Sequence, residues 1–183
     1  MKKTIFQSHL IAIGGSEDKA NDVLVLKRVV QEVGKANPSV AVITTASEEP
    51  EQRGADYMQV FTTLGLSRVE ICHIKNQTEA NDLDLIKTLE EVDFIFFTGG
   101  DQFRLINILK DTKAFQTINT RLKRGVLIAG TSAGAAAFSD IMIYDGKSEK
   151  GLFKGSVLTT TGFSFVENIV IDTHFMARGR IGR

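Results

Sequence analysis

The sequence predicts an α/β fold: a mostly parallel sheet with helices on both faces. Three observations predict it. Short apolar, β-branched runs alternate with stretches whose apolar residues recur at helical spacing. Two runs, Val92–Phe97 and Val126–Ala129, are almost wholly apolar, as strands covered on both faces must be. Three runs end in glycine-rich turns, Gly14-Gly15, Gly99-Gly100 and Gly130 to Gly134, which suits strand ends that feed helices.

In chain order, His9–Ile13 is a short apolar run ending at Gly14-Gly15. From Asn21 to Lys35, Val23, Leu26, Val29, Val30 and Val33 fall on roughly one helical face. Val40–Thr44 is β-branched and bounded by Pro38, so it reads as a strand. Glu51–Leu64 reads as a helix with Tyr57, Met58, Phe61 and Leu64 on one face, followed by a strand over Val69–Ile74. Asp82–Glu90 reads as a helix turning Leu85, Ile86 and Leu89 inward. Helices are expected over Phe103–Lys110 and Ala114–Lys123, around the central strand Val92–Phe97 and before the strand Val126–Ala129. The stretch Asp140–Thr161 is less regular and predicts loops and short strands near a site. Val170–His174 is β-branched and reads as a last strand ending at His174.

The 183 residues suit one domain and are enough to bury a core. Lys+Arg and Asp+Glu balance at 22 each, so no global field favours nucleic acid or an anionic membrane. With one cysteine, Cys72, there is no intramolecular disulfide and no cysteine-based zinc site; its apolar surroundings predict a buried, inert thiol. The N-terminal lysines are followed by apolar residues that Gln7, Ser8 and His9 interrupt, unlike a signal peptide, and no run approaches the ~18 residues of a membrane span. The expectation is a soluble, cytoplasmic protein with no nucleic-acid or membrane partner.

Gly130-Thr131-Ser132-Ala133-Gly134 fits G-x-S-x-G between a buried strand and a small-residue helix start. Such a turn is tight enough to admit only small neighbours and pushes the serine hydroxyl out at the top of the sheet. A glycine-rich turn capped by Ser or Thr is the bland alternative. A serine nucleophile needs a base and usually an acid that orients the base. His9 and His73 read as structural, which leaves His174 as the candidate base. Glu149 lies between Ser132 and His174 in sequence, and Asp140, Asp145, Glu167 and Asp172 compete with it for the acidic place. The N–H of Ala133 and one from the Gly99-Gly100 turn, at Gly100, are candidate oxyanion donors. Arg178, Arg180 and Arg183 follow the candidate base and suit substrate carboxylates; a solvated surface is the default reading of such arginines.

Taken together, Ile13 to Lys19, Phe97 to Gln102, Gly130 to Ala135, Gly146 to Glu149, Ile171 to Phe175 and Arg178 to Arg183 resemble, in order and over nearly the whole chain, the cyanophycinases. These belong to the serine peptidase family that also contains peptidase E. The resemblance implies a three-layer, flavodoxin-like sandwich similar to class I glutamine amidotransferases, with Ser where those carry Cys. It implies Ser132 as nucleophile, His174 as base, Glu149 as acid, and Gln102, Asp172, Arg178, Arg180 and Arg183 around the substrate, with no cofactor or metal. The implied substrate is a peptide polymer, cyanophycin, whose poly-aspartate backbone carries arginine on each side chain and is cut to β-aspartyl-arginine dipeptides. A homodimer is compatible with it. Asp172 would face the substrate guanidinium and the arginines its carboxylate.

Two departures stand out. Thr173 occupies a place where the family carries Gln, which removes an amide donor and acceptor from the substrate pocket. The chain also stops at Arg183, where family members continue, so a domain lacking the usual C-terminal part is expected, with exposed apolar surface and a tendency to low activity or association. The competing expectations are a dipeptidase or isopeptidase with another acidic substrate and an inactive relative that only binds ligand. An α/β-hydrolase esterase would need an HGGG-type segment that is absent.

Overall fold

The computed structural model describes residues 9–146 and 156–180. Five strands, β1 (Leu10–Ile13), β2 (Ser39–Ile43), β3 (Arg68–Cys72), β4 (Phe94–Phe97) and β5 (Leu127–Thr131), form a sheet in the order β1-β5-β4-β2-β3. Every neighbouring pair is parallel. Parallel neighbours need crossovers, and helices α1 (Leu24–Glu32), α2 (Pro50–Thr63), α3 (Leu83–Glu91), α4 (Gln102–Leu109) and α5 (Lys113–Lys123) supply them.

Strand β4 shows why the layers number three. All four of its side chains are buried, and they alternate between two cores. Phe94 and Phe96 pack with Leu26 and Val29 of α1 and Tyr57, Val60 and Phe61 of α2. Ile95 and Phe97 pack with Leu89, Leu105, Leu109, Ile118 and Leu122 of α3, α4 and α5. Aromatic contacts tighten the first core: the Phe96 ring lies 4.9 Å from Tyr57 and 5.5 Å from Phe61. The fold class expected from the sequence is therefore the one found.

Helix starts follow local chemistry. Asp82, Asp101 and Thr112 each accept backbone N–H groups from the first turns of α3, α4 and α5, and Pro50 opens α2, where its missing N–H costs nothing. Asp18 gathers the N–H groups of Ala20, Asn21 and Val23 ahead of α1. Beyond β5, α6 (Ala133–Ala136) is a single short turn, followed by the antiparallel pair β6 (Ile141–Gly146) and β7 (Val157–Thr161).

Three local expectations need correction. Met58 is exposed and Val60 buried, because α2 turns a face of Gly54, Tyr57, Val60 and Phe61 to the sheet. The β3 strand ends at Cys72, two residues before the expected end. Val170–His174 is not a strand. Its neighbours offer no ladder: the Ile171 N–H goes to the Ser139 hydroxyl at 2.9 Å and the His174 N–H to the Gly14 carbonyl at 2.8 Å. Cys72 is buried, and burial pushes its thiol up to about 12, in keeping with an unreactive sulfur.

Ile141, Tyr144, Leu158, Ile169, Val170, Phe175 and Met176 are exposed apolar side chains of the C-terminal third. No helix among the described residues is long and apolar enough to cross a membrane. Because Phe96 joins sheet and α2 through two ring contacts, Phe96→Ala is expected to cost about 3–5 kcal/mol of unfolding free energy in urea titration. Met58→Lys, on the solvent side of the same helix, should cost under about 0.5 kcal/mol.

Candidate functional site

Strand β5 lies between β1 and β4, so the chain leaving its carboxyl end is flanked by the turns that end both neighbours. Ser132 sits at that point with φ 51 and ψ −114, a backbone conformation strained for a residue with a side chain. The turn closes only because two positions lack a Cβ. One on Gly134 would lie 2.6 Å from the Phe97 carbonyl oxygen, and one on Gly130 would lie 2.6 Å from the Phe138 ring. The Ser132 N–H donates to the Ile13 carbonyl at 3.0 Å and its carbonyl accepts from the Ala136 N–H at 2.9 Å, which fixes the turn from both sides.

His174 reaches this serine: its Nε2 lies 2.7 Å from Ser132 Oγ. It arrives by a chain of anchors rather than on a strand. Phe163 and Phe165 stack in the second core, and the N–H groups of Phe163 and Phe165 bond to Ala137 and Phe138 carbonyls. Ile171 is then tied to Ser139 and His174 to Gly14. The ring rests on Gly15, where a Cβ would come within 2.5 Å of Nε2. His9 and His73 are elsewhere, the first with its carbonyl bonded to Ile128, the second beside Thr44.

Burial lowers the His174 pKa below its ordinary value, and the charges of Arg178 and Arg180 lower it further, while Glu17 opposes them. The imidazole is thus neutral at neutral pH. With the proton on Nδ1, Nε2 accepts from the serine hydroxyl.

No carboxylate among the described residues hydrogen-bonds the other ring nitrogen. Asp140 accepts the Ile141 and Asn168 N–H groups, Asp145 accepts the Gly146 N–H, Glu167 is exposed, and Asp172 pairs with Arg180 at 2.8 Å. Glu149 and Arg183 lie outside the described residues.

A cavity of about 590 Å³ opens over Ser132 and His174, with Glu17, Gly99, Gly100 and Arg178 in its lining. The Gly99-Gly100 turn lies against the serine: a Cβ on Gly99 would stand 3.2 Å from that of Ser132. The N–H groups of Ala133 and Gly100 carry no hydrogen bond to other described residues. A second cavity of about 510 Å³ adjoins the first through Gly100 and Arg178 and is lined by Gln102, Asp172, Thr173 and Arg180. Here polar side chains are bound within the protein, to backbone carbonyls and to one another. Gln102 donates to the Ile143 carbonyl at 3.0 Å, and Arg180 donates to Asp172 at 2.8 Å and to the Thr173 carbonyl at 2.5 Å. Asp172 therefore meets the guanidinium of this chain's own Arg180, and the Thr173 side chain is buried.

Glu17 lies within the Ile13–Lys19 stretch, but no motif in the sequence marks it as functional. Glu17 is buried at the cavity floor and accepts hydrogen bonds from the Tyr57 and Thr131 hydroxyls. Lys19 pairs with it at 3.2 Å and lies over the Tyr57 ring. Among the described residues no cluster of His, Cys, Asp and Glu could hold a metal ion.

Residues 10–181 match the family model of Peptidase family S51. The chain belongs to peptidase family S51. Among S51 relatives, the cyanophycinase of Trichormus variabilis is 34% identical over 175 residues, 95% of this chain and 59% of its own length. The cyanophycinase of Geminocystis herdmanii is 33% identical over 182 residues, covering 99% of this chain and 67% of that one. The chain thus spans between about half and two-thirds of the length of the curated relatives it matches. A solved peptidase from an acI-B1 Actinobacterium shares the fold with a TM-score of 0.70 at 22% identity, over 93% of this chain and 71% of its own. A putative peptidase E protein from Listeria monocytogenes does so with a TM-score of 0.60 at 23% identity, over 86% of this chain and 74% of its own.

The gap that Gly134 leaves for Phe97 gives a direct check. Gly134→Ala should destabilise the protein by about 1–3 kcal/mol in thermal or urea unfolding, since a backbone carbonyl cannot step aside as a side chain can.

Proposed function

We propose that the chain is a serine exopeptidase that hydrolyses cyanophycin to β-aspartyl-arginine through an acyl-enzyme. The observation that carries the reading is the 2.7 Å contact between Ser132 Oγ and a neutral His174 Nε2 on a strained elbow at the floor of an open cavity. The relatives named cyanophycinase support the substrate.

In this reading Ser132 Oγ attacks a backbone carbonyl of the polymer while His174 takes its proton. The Ala133 and Gly100 N–H groups would receive the oxyanion: both lie in turns beside Ser132, and neither bonds to another described residue. The intermediate collapses, His174 returns the proton to the leaving amine, and water, activated by the same ring, releases the dipeptide. Glu149 remains the sequence's candidate for the acidic partner. Arg178, at the junction of the two cavities, would meet the substrate's arginine carboxylate, with Gln102, Asp172, Thr173 and Arg180 around the adjoining pocket; Arg183 remains a candidate from the sequence alone.

One observation favours a second reading. The Asp172 carboxylate that would have met a substrate guanidinium is bridged by Arg180, which leaves a pocket better suited to a substrate with carboxylates alone, such as an aspartyl dipeptide. Incubation with cyanophycin and with a panel of aspartyl dipeptides separates the two. Release of β-aspartyl-arginine by the parent, and none by Ser132→Ala, is expected; activity retained by Ser132→Ala would sink the serine mechanism.

The lowered His174 pKa sets the pH profile. Activity should fall on acidification as His174 gains a proton, with the midpoint of the acid limb in kcat/KM below the ordinary histidine value of about 6.5. A midpoint above that value would contradict the assignment of His174 as base.

A further inference from the structure

The end of β1 and the turn after it touch Ser132 and His174 at three successive residues. The Ile13 carbonyl accepts the Ser132 N–H, and the Gly14 carbonyl accepts the His174 N–H. Gly15, at φ +104, is the floor on which the His174 ring lies. Glu17 then turns its carboxylate inward to the hydroxyl of Thr131, the residue immediately before the nucleophile. The other oxygen accepts from Tyr57 on α2 and pairs with Lys19. Residues 13–17 thus form a bracket with three backbone or packing contacts to the reacting pair and one buried anchor.

A buried carboxylate is an expensive anchor unless it is fully satisfied. Burial would raise the Glu17 pKa, but hydrogen bonds from Thr131 and Tyr57 and the charge of Lys19 outweigh it and hold the group ionised. Burial and the neighbouring anion push the Tyr57 phenol far above its usual range, so it stays a donor. The anchor therefore keeps one charge state across the neutral range, and its hydrogen-bond pattern has a single arrangement.

We propose that Glu17 is a positioning residue for the Ser132–His174 pair: its buried carboxylate, through the Thr131 hydroxyl and the backbone of residues 13–17, sets the distance and orientation of both side chains. The inference rests on the reading of Ser132 and His174 given above. Glu17 is also the acid whose charge acts on His174 against Arg178 and Arg180. The other charged groups lining the cavity over His174 are Lys19, Glu48, Glu49, Arg53 and Asp101.

The test measures the rate at which diisopropyl fluorophosphate modifies Ser132, located by peptide mass spectrometry. In that reaction Ser132 Oγ bonds to phosphorus, fluoride leaves, and the serine proton passes to His174, so the rate reads the activated pair without any peptide substrate. Glu17→Gln should react about 10- to 100-fold more slowly at neutral pH. Its acid limb should also move to lower pH, because loss of the anion leaves the two arginines unopposed. Thr131→Val should slow the reaction without moving the limb, since Glu17 keeps its charge. Thr131→Ser, which restores the hydroxyl, should return to near the parent rate. Thermal unfolding of each variant separates loss of fold from loss of positioning, and if Glu17→Gln does not fold, the Thr131 pair carries the test. Rates for Glu17→Gln and Thr131→Val within about twofold of the parent, with an unmoved limb, would overturn the inference. A parent protein that is not modified at Ser132 would instead overturn the reading of the site.

Discussion

A side chain held at φ 51 and ψ −114 persists only where its surroundings over-determine it, and Ser132 is in that position. The strain is confined by four neighbours. Gly130 and Gly134 let Phe138 and the Phe97 carbonyl close in from two sides, and Ile13 and Ala136 hold the backbone by hydrogen bonds. The same Phe97 ends the most buried strand of the sheet and packs against Phe138 and Phe163. The core and the elbow are thus one packing problem, and loosening β4 would loosen Ser132.

The electrostatics are arranged around one neutral ring. His174 is kept below its ordinary pKa by burial and by two arginines that the turn after it brings close: the Arg178 N–H bonds to the His174 carbonyl and the Arg180 N–H to that of Phe175. In the proposed reaction, positive charge beside the base would depress its basicity and also fit an anionic substrate, so one pair of side chains would act on both binding and proton transfer. The Asp172–Arg180 bridge moderates that charge, with side chains only 15% and 13% exposed. A pair this sheltered is screened less than a surface pair and holds its geometry better.

Much of this was legible from sequence, for identifiable reasons. Val92–Phe97 could be read because a strand buried on both faces leaves no polar residue to confuse its period, and Gly130 to Gly134 because a tight elbow admits few residue types. His174 could be reached by elimination, but its local structure could not. Val170 and Ile171 carry a strand-like pattern, yet Val170 is 48% exposed and the segment is held by the Ser139 hydroxyl and the Gly14 carbonyl. Glu17 was beyond reach because its partners lie far along the chain, Tyr57 on α2 and Thr131 at the end of β5. Periodicity reports burial, not partnership. The Asp172–Arg180 bridge is close in sequence, but carboxylate and guanidinium were each read as facing a ligand, and only geometry shows that they face each other.

The central claim is that Ser132 itself bonds to the substrate. The most direct measurement mixes the protein with cyanophycin, quenches in acid within the first turnovers, and maps the mass of the peptide containing Ser132. The account predicts an added aspartyl-arginine acyl group on that peptide and none on the Ser132→Ala protein. Dipeptide release with no acylated peptide at any quench time, and with Ser132→Ala still active, would contradict it.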